Sequence, residues 1–306
     1  MPVLPTRSST EAMASLSLLA GLVVGCASAA PPRVATTDAA RAPTTSGAAP
    51  RPAEAAVEAP PTPTLALRTA PEPSEALLMD APPRCPSDMA LIDGDVCIDR
   101  FEASLVRRSA SGADEPWSPY GSVDRAKAPL RAVSEKGRVP QGYVSGEQAA
   151  LACEAAGKRL CAADEWDRAC RGPRRLAYPY GPSRREGVCN DDGRDRHPVA
   201  EATARQGIAR ERMWYEGMDL PLINQLPDTV DPSGSHPACQ SDYGVFDMVG
   251  NLHEWIDDPE GTFRGGYFMD TQINGEGCDY TTTAHGRTYH DYSTGFRCCM
   301  DADPVE

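Results

Sequence analysis

The sequence predicts an α+β domain with little regular secondary structure, held partly by disulfides and preceded by a long unstructured tract. Three observations carry that expectation. Two short helical patterns lie among apolar stretches of strand character and many turn residues. Of eleven cysteines, ten lie beyond residue 84, an even set. Ahead of them, Ala27 to about Pro83 is built of Ala, Pro, Thr and Glu with almost no large apolar residue.

The first element is the run Leu16 to Val24, LSLLAGLVV, which is too short to span a bilayer and ends in Gly25-Cys26. A brief apolar core followed by small residues reads as an export signal over 1–25. VVGC resembles a bacterial lipobox, which makes Cys26 the expected lipidation site and the bacterial cell envelope the expected location. The anchored face would be periplasmic or surface-exposed. Residues 26–83 cannot bury enough apolar surface to offset their ordering entropy, so they read as a tether. In an exported chain an even cysteine set points to a disulfide framework, and the lack of a CxxC pair argues against structural zinc. The net charge of −14 argues against nucleic acid as a partner.

The folded domain is expected over 84–302. DMALIDGDVCIDRFEAS suggests two short strands around an Asp93-Gly94 turn, and Arg107 to Pro140 reads as a long polar loop. Ser145 and Gln148 form a capping box for a helix that Gly157 stops. DEWDRACR predicts a second helix bounded by Gly172, with Trp166 and Cys170 one turn apart on one face. Arg174 to His236 shows no clear element. FRGGYF and TGFRCC read as strands near the end of the domain. Between them and the helices, DMVGNLHEW (247–255) places Asp247 and Glu254 on either side of a tight turn at Gly250-Asn251. Either the two carboxylates cap the turn, or something positive sits between them.

Five segments, AGKRLCAADEWDRACRG, YPYG, YGVFDMVGNLHEW, FRGGYF and TGFRCC, occur in an order that resembles the sulfatase-modifying-factor family of formylglycine-generating enzymes. The resemblance runs from about Met89 to Met300 and implies that family's irregular fold, related to the C-type lectin fold. It also implies copper chemistry, in which two thiolates five residues apart hold copper(I) for oxidation of a substrate cysteine. Set against that pattern, Cys278 takes the second thiol position, whereas Ile273 takes the first and can ligate nothing. The basic stretch that follows has become TTTAHGR. One thiolate cannot make a two-sulfur site, which argues against copper.

The resemblance further implies calcium, with side-chain oxygens at Asp247 and Glu254 and carbonyls at Gly250 and Leu252. A second site would start at Asn190 with the carbonyl of Asp191. It implies a Cys153–Cys298 bridge, and a bridge from Cys170 whose partner position here is Thr283. Cys278, five residues away, becomes the expected partner, and Cys161–Cys299, Cys189–Cys239 and Cys85–Cys97 complete the set. His285, His290 and Asp291 invite a metal reading, but in a chain of five histidines a solvated or hydrogen-bonded role is the better expectation. The reading is therefore a lipid-tethered binding or structural module with an unknown protein or small-molecule ligand. The alternative is an oxidase with a rearranged site using Cys278.

Overall fold

The computed structural model describes residues 85–304; the segments expected to be an export signal and a tether, with Cys26, lie outside the described residues. Three small sheets and four helices make up the regular structure, and long ordered loops carry the rest. The elements are β1 (Met89–Ile92), β2 (Val96–Asp99), β3 (Ser104–Arg108), β4 (Asp114–Pro116), β5 (Leu130–Val133), α1 (Gly146–Ala155), β6 (Arg159–Leu160) and α2 (Ala163–Arg171). There follow α3 (Pro198–Arg205), α4 (Met213–Glu216), β7 (His253–Trp255), β8 (Phe263–Arg264), β9 (Thr281–Thr282), β10 (Thr294–Phe296) and β11 (Cys298–Asp301).

The expected hairpin is present: β1 and β2 pair antiparallel with Met89 opposite Asp99. Beyond β2 the sheet continues through β11 to β6, giving the order β1-β2-β11-β6. The second sheet runs β10-β7-β8-β9, with β10 parallel to β7 and Gly295 opposite Glu254. The short segment 294–301 therefore supplies a strand to each of these sheets.

Both expected helices form. Ser145 Oγ accepts the Gln148 N–H at 3.2 Å and Gln148 Oε1 accepts the Ser145 N–H at 3.0 Å, closing the capping box of α1. In α2, Trp166 and Cys170 are both fully buried, as their spacing requires.

Two expectations need correction. Arg107 to Pro140 is not one long loop, because the end of β3, all of β4 and all of β5 fall in it and form a sheet of order β4-β3-β5. These strands are only three to five residues long, and β4 has no buried residue, so pairing with a neighbour decides them. FRGGYF is a strand only over Phe263–Arg264. Gly265 and Gly266 adopt φ of +81° and +70° and turn the chain out of the sheet. The stretch that showed no clear element, Arg174 to His236, holds α3 and α4, where Pro198 at the first helical turn is the one orthodox start signal.

Among the described residues five disulfides form, joining Cys85–Cys97, Cys153–Cys298, Cys161–Cys299, Cys170–Cys278 and Cys189–Cys239. These are the five pairs set out above. Adjacent cysteines at 298 and 299 point to opposite faces of β11, as successive strand residues must. Cys298 reaches α1 on one side, and Cys299 reaches Cys161 at the start of α2 on the other.

Candidate functional site

The segment 247–255 enters as a turn and leaves as a central strand. Asp247 and Asn251 hold φ of +56°, and Gly250 holds +83°. A Cβ at Gly250 would stand 2.4 Å from the Asn190 carbonyl oxygen, so the two loops can meet only at a glycine. Asn251 seals the contact: its N–H donates to Asn190 O at 2.9 Å, and its Oδ1 accepts from Asn190 Nδ2 at 2.9 Å. The two segments expected to bind calcium are thus packed against each other.

The positive group between the carboxylates of this segment is Arg297, fully buried between β10 and β11. Its Nε donates to Glu254 Oε2 at 2.7 Å and its Nη2 to Glu254 Oε1 at 2.5 Å, a bidentate pair. Trp166 Nε1 donates to the same Oε2 at 2.7 Å. Two further guanidinium hydrogens go to the carbonyls of Asp99 and Phe246. Burial works against the charge of Arg297, but Glu254 beside it holds the guanidinium firmly protonated.

Two further acids share this centre. Asp247 Oδ2 accepts the Gly234 N–H at 2.6 Å, and burial pushes its carboxyl up to about 6. Glu102 accepts from Ser233 Oγ, Asn251 Nδ2 and the Leu252 N–H, and burial with Asp247 nearby drives its carboxyl well above the usual range.

A calcium shell of six to eight oxygens would have to share Glu254 with a guanidinium, and the residues as placed do not fit it. At the other locus Asp191 forms a forked pair with Arg184 at 2.8 and 3.1 Å and accepts the Thr271 hydroxyl at 2.9 Å. Among the described residues no group of three or more His, Cys, Asp or Glu is placed to hold a metal ion.

The two positions that the family resemblance ties to copper lie in different surroundings. Cys278 is fully buried and bonded to Cys170 of α2, with its N–H donated to the Ala177 carbonyl at 2.9 Å. Ile273 is 83% exposed, at the rim of a pocket of about 320 Å³. The residues from Thr271 to Tyr280 thus place the first position at the surface and lock the second beneath it.

That pocket is walled by side chains from β7, β8, α4 and the loops around β9 and β10. His253 forms its floor. Its ring lies 4.6 Å from those of Phe263 and Tyr267, and its Nδ1 pairs with Ser293 Oγ at 3.2 Å. Complete burial lowers its pKa to about 3, so the imidazole is neutral. Asp291, buried beside it, accepts the Tyr289 hydroxyl at 2.6 Å and both Ser293 donors at 2.7 Å, and burial raises its pKa. His285 stacks on Tyr289 with ring centroids 3.6 Å apart.

His290 lies outside the pocket and bridges Asp219 at 2.9 Å and Asp124 at 3.2 Å, which raises its pKa. His236 pairs with Asp231, and His197 caps α3. His197, His236, His253, His290 and Asp291 thus make hydrogen bonds, whereas His285 makes ring contacts.

Sequence reasoning did not single out Arg297, Glu102 or the aromatic pocket. An arginine inside the otherwise apolar TGFRCC was the available signal, because a buried guanidinium demands a carboxylate. The tyrosines 267, 280, 289 and 292 fall at no regular spacing, and only the loops bring them together.

A family model described as the sulfatase-modifying factor enzyme 1-like domain matches residues 96–302. A Bos taurus protein named inactive C-alpha-formylglycine-generating enzyme 2 is 28% identical over 202 residues, 61% of this chain and 59% of its own length. Its Mus musculus counterpart is 27% identical over 199 residues, covering 61% and 58%. The chain thus spans less than two thirds of the length of the curated relatives it matches. Solved structures that overlay on it include a major tropism determinant variant, P3c, at 14% identity and a TM-score of 0.43, covering 73% of this chain and 55% of the other. PvdO from Pseudomonas aeruginosa overlays at 14% identity and a TM-score of 0.41, covering 72% and 86%.

Proposed function

The chain belongs to the sulfatase-modifying factor enzyme 1-like family, and on that footing we propose that it is an exported, lipid-tethered binding module without the family's oxidase chemistry. One observation carries the proposal. Where the copper chemistry needs two accessible thiolates, this chain offers a solvent-exposed Ile273 and a Cys278 consumed in a buried disulfide. A disulfide sulfur is neither a thiolate nucleophile nor a copper(I) ligand of the required kind. The relatives from Bos taurus and Mus musculus, both named inactive, agree with this reading.

What the site can do is bind. The pocket next to Ile273 combines aromatic walls with a few fixed polar atoms, the usual make-up of a ligand site. Its floor is rigid, because β7 lies in the middle of a sheet and Trp255 Nε1 donates to the Val144 carbonyl at 2.9 Å. The disulfide framework and the run LSLLAGLVVGC support an oxidising compartment at the bacterial envelope, with Cys26 as the lipidated residue.

The test is direct. Purified protein incubated with copper and a peptide carrying Cys-x-Pro-x-Arg should give no formylglycine by mass spectrometry. Peptide mapping should recover Cys170 joined to Cys278. Clear turnover, or a free Cys278 thiol in the native protein, would sink the proposal.

A further inference from the structure

We infer that the pocket at Ile273 takes an organic cation, a quaternary ammonium or guanidinium group on an apolar stem, a reading that rests on the binding-module proposal for the same pocket. The walls supply the first argument. Tyr267, Tyr280, Tyr289 and Tyr292 line it together with Phe263 and Trp214. Several are fixed against one another: the rings of Tyr267 and Tyr292 lie 6.0 Å apart, and those of His253 and Tyr280 lie 5.5 Å apart. Such faces carry negative quadrupole charge and attract a cation placed over them.

Charge supplies the second argument. The lining contains two carboxylates, Asp270 and Asp291, and neither lysine nor arginine. Three histidines, His197, His253 and His285, also line it; burial lowers the pKa of His197 and His253, and it holds the phenols of Tyr280 and Tyr289 protonated. An anionic ligand would therefore meet acids without a counter-charge. Asp291 acts through its field, since its oxygens are occupied by Tyr289 and Ser293. Asp270 is the acid a ligand would meet. The N–H groups of Gln272 and Ile273 donate to its Oδ1 at 3.0 and 3.1 Å, fixing the carboxylate at the base of the loop that carries Ile273.

Size and rim complete the case. A volume of about 320 Å³ suits a side-chain-sized headgroup better than a large cofactor. Trp214 is 49% exposed and Ile273 83% exposed, which places apolar surface where the stem would emerge.

The experiment is a calorimetric titration of the oxidised full-length chain with two matched pairs of probes. Choline is compared with its uncharged carbon isostere, and Nα-acetyl-arginine amide with Nα-acetyl-citrulline amide. At least one cation should bind about ten-fold more tightly than its neutral partner. Asp270→Asn keeps the turn-forming side chain and should remove most of that difference with an unchanged melting temperature. Trp214→Ala, a half-exposed position, should weaken the same cation several-fold. Equal affinities within both pairs, or no cation binding at about 10 mM, would overturn the inference and leave the non-catalytic reading standing. Formylglycine production would overturn the non-catalytic reading whatever the titrations show.

Discussion

Arg297 and Glu254 answer the question posed by DMVGNLHEW, because the charge between its carboxylates comes from the link between β10 and β11, some forty residues downstream. Breaking a buried pair strands the surviving charge, so Arg297→Met should cost about 3–5 kcal/mol by denaturant melt. The same substitution with Glu254→Gln should recover part of that loss. With a guanidinium already against Glu254, EDTA should leave the melting temperature unchanged, and a fall of several degrees on chelation would restore calcium as the partner. His253 makes a pH prediction. Its pKa falls from 6.5 to about 3 on folding through burial, so the unfolded chain binds the proton more readily. Its contribution is thus present above pH 6.5 and is lost as pH falls toward 3. Replacing it with Phe should flatten the acid limb of a stability–pH curve. The carboxylates and the turn were legible because Gly-Asn between charged residues is local information. The guanidinium was not, because its pairing depends on which strand follows which into the sheet.

The element that decides chemistry is the loop from Thr271 to Tyr280. It hangs on Cys278, which is tied to α2, and it presents Ile273 at its outer edge. Ile273→Cys alone should therefore bind no copper(I), because its would-be partner is oxidised and buried. A stoichiometric copper(I) site in that variant, read by chelator competition, would show that Cys278 can be released. The helices were the most legible elements: a capping box and a terminal glycine are short-range signals, and α1 follows both while α2 ends at Gly172. Ser145→Ala should cost about 1 kcal/mol by loss of the cap. The sheet β4-β3-β5 was hidden in a polar stretch because β3 and β4 form a short polar hairpin and β5 joins it only across the long loop that follows. The pocket was hidden because only loops bring its tyrosines together.

At the scale of the whole molecule, covalent links stand in for extended secondary structure. The bridges Cys153–Cys298 and Cys161–Cys299 close loops of 145 and 138 residues, and Cys170–Cys278 closes 108. Loops of that length favour the native state by about 4–5 kcal/mol each in the chain-entropy model. Reduction under native buffer should then convert the protein to an expanded, protease-sensitive form, followed by near-ultraviolet circular dichroism. The family and the irregular α+β class were legible because motif order and cysteine parity survive where periodicity is weak. The segment 294–301 has a further consequence for biogenesis. It contributes β10, Arg297, β11 and both members of the Cys298-Cys299 pair, and it comes last among the elements of the described domain. A nascent chain emerging from its N-terminus would have no keystone for either sheet until these residues arrived. Until then Cys153 and Cys161 would present unpaired thiols, and β2, β6 and β7 open edges. Chains halted before Thr294 should accumulate as mixed disulfides with oxidising partners, whereas the finished domain should close in one late, cooperative event.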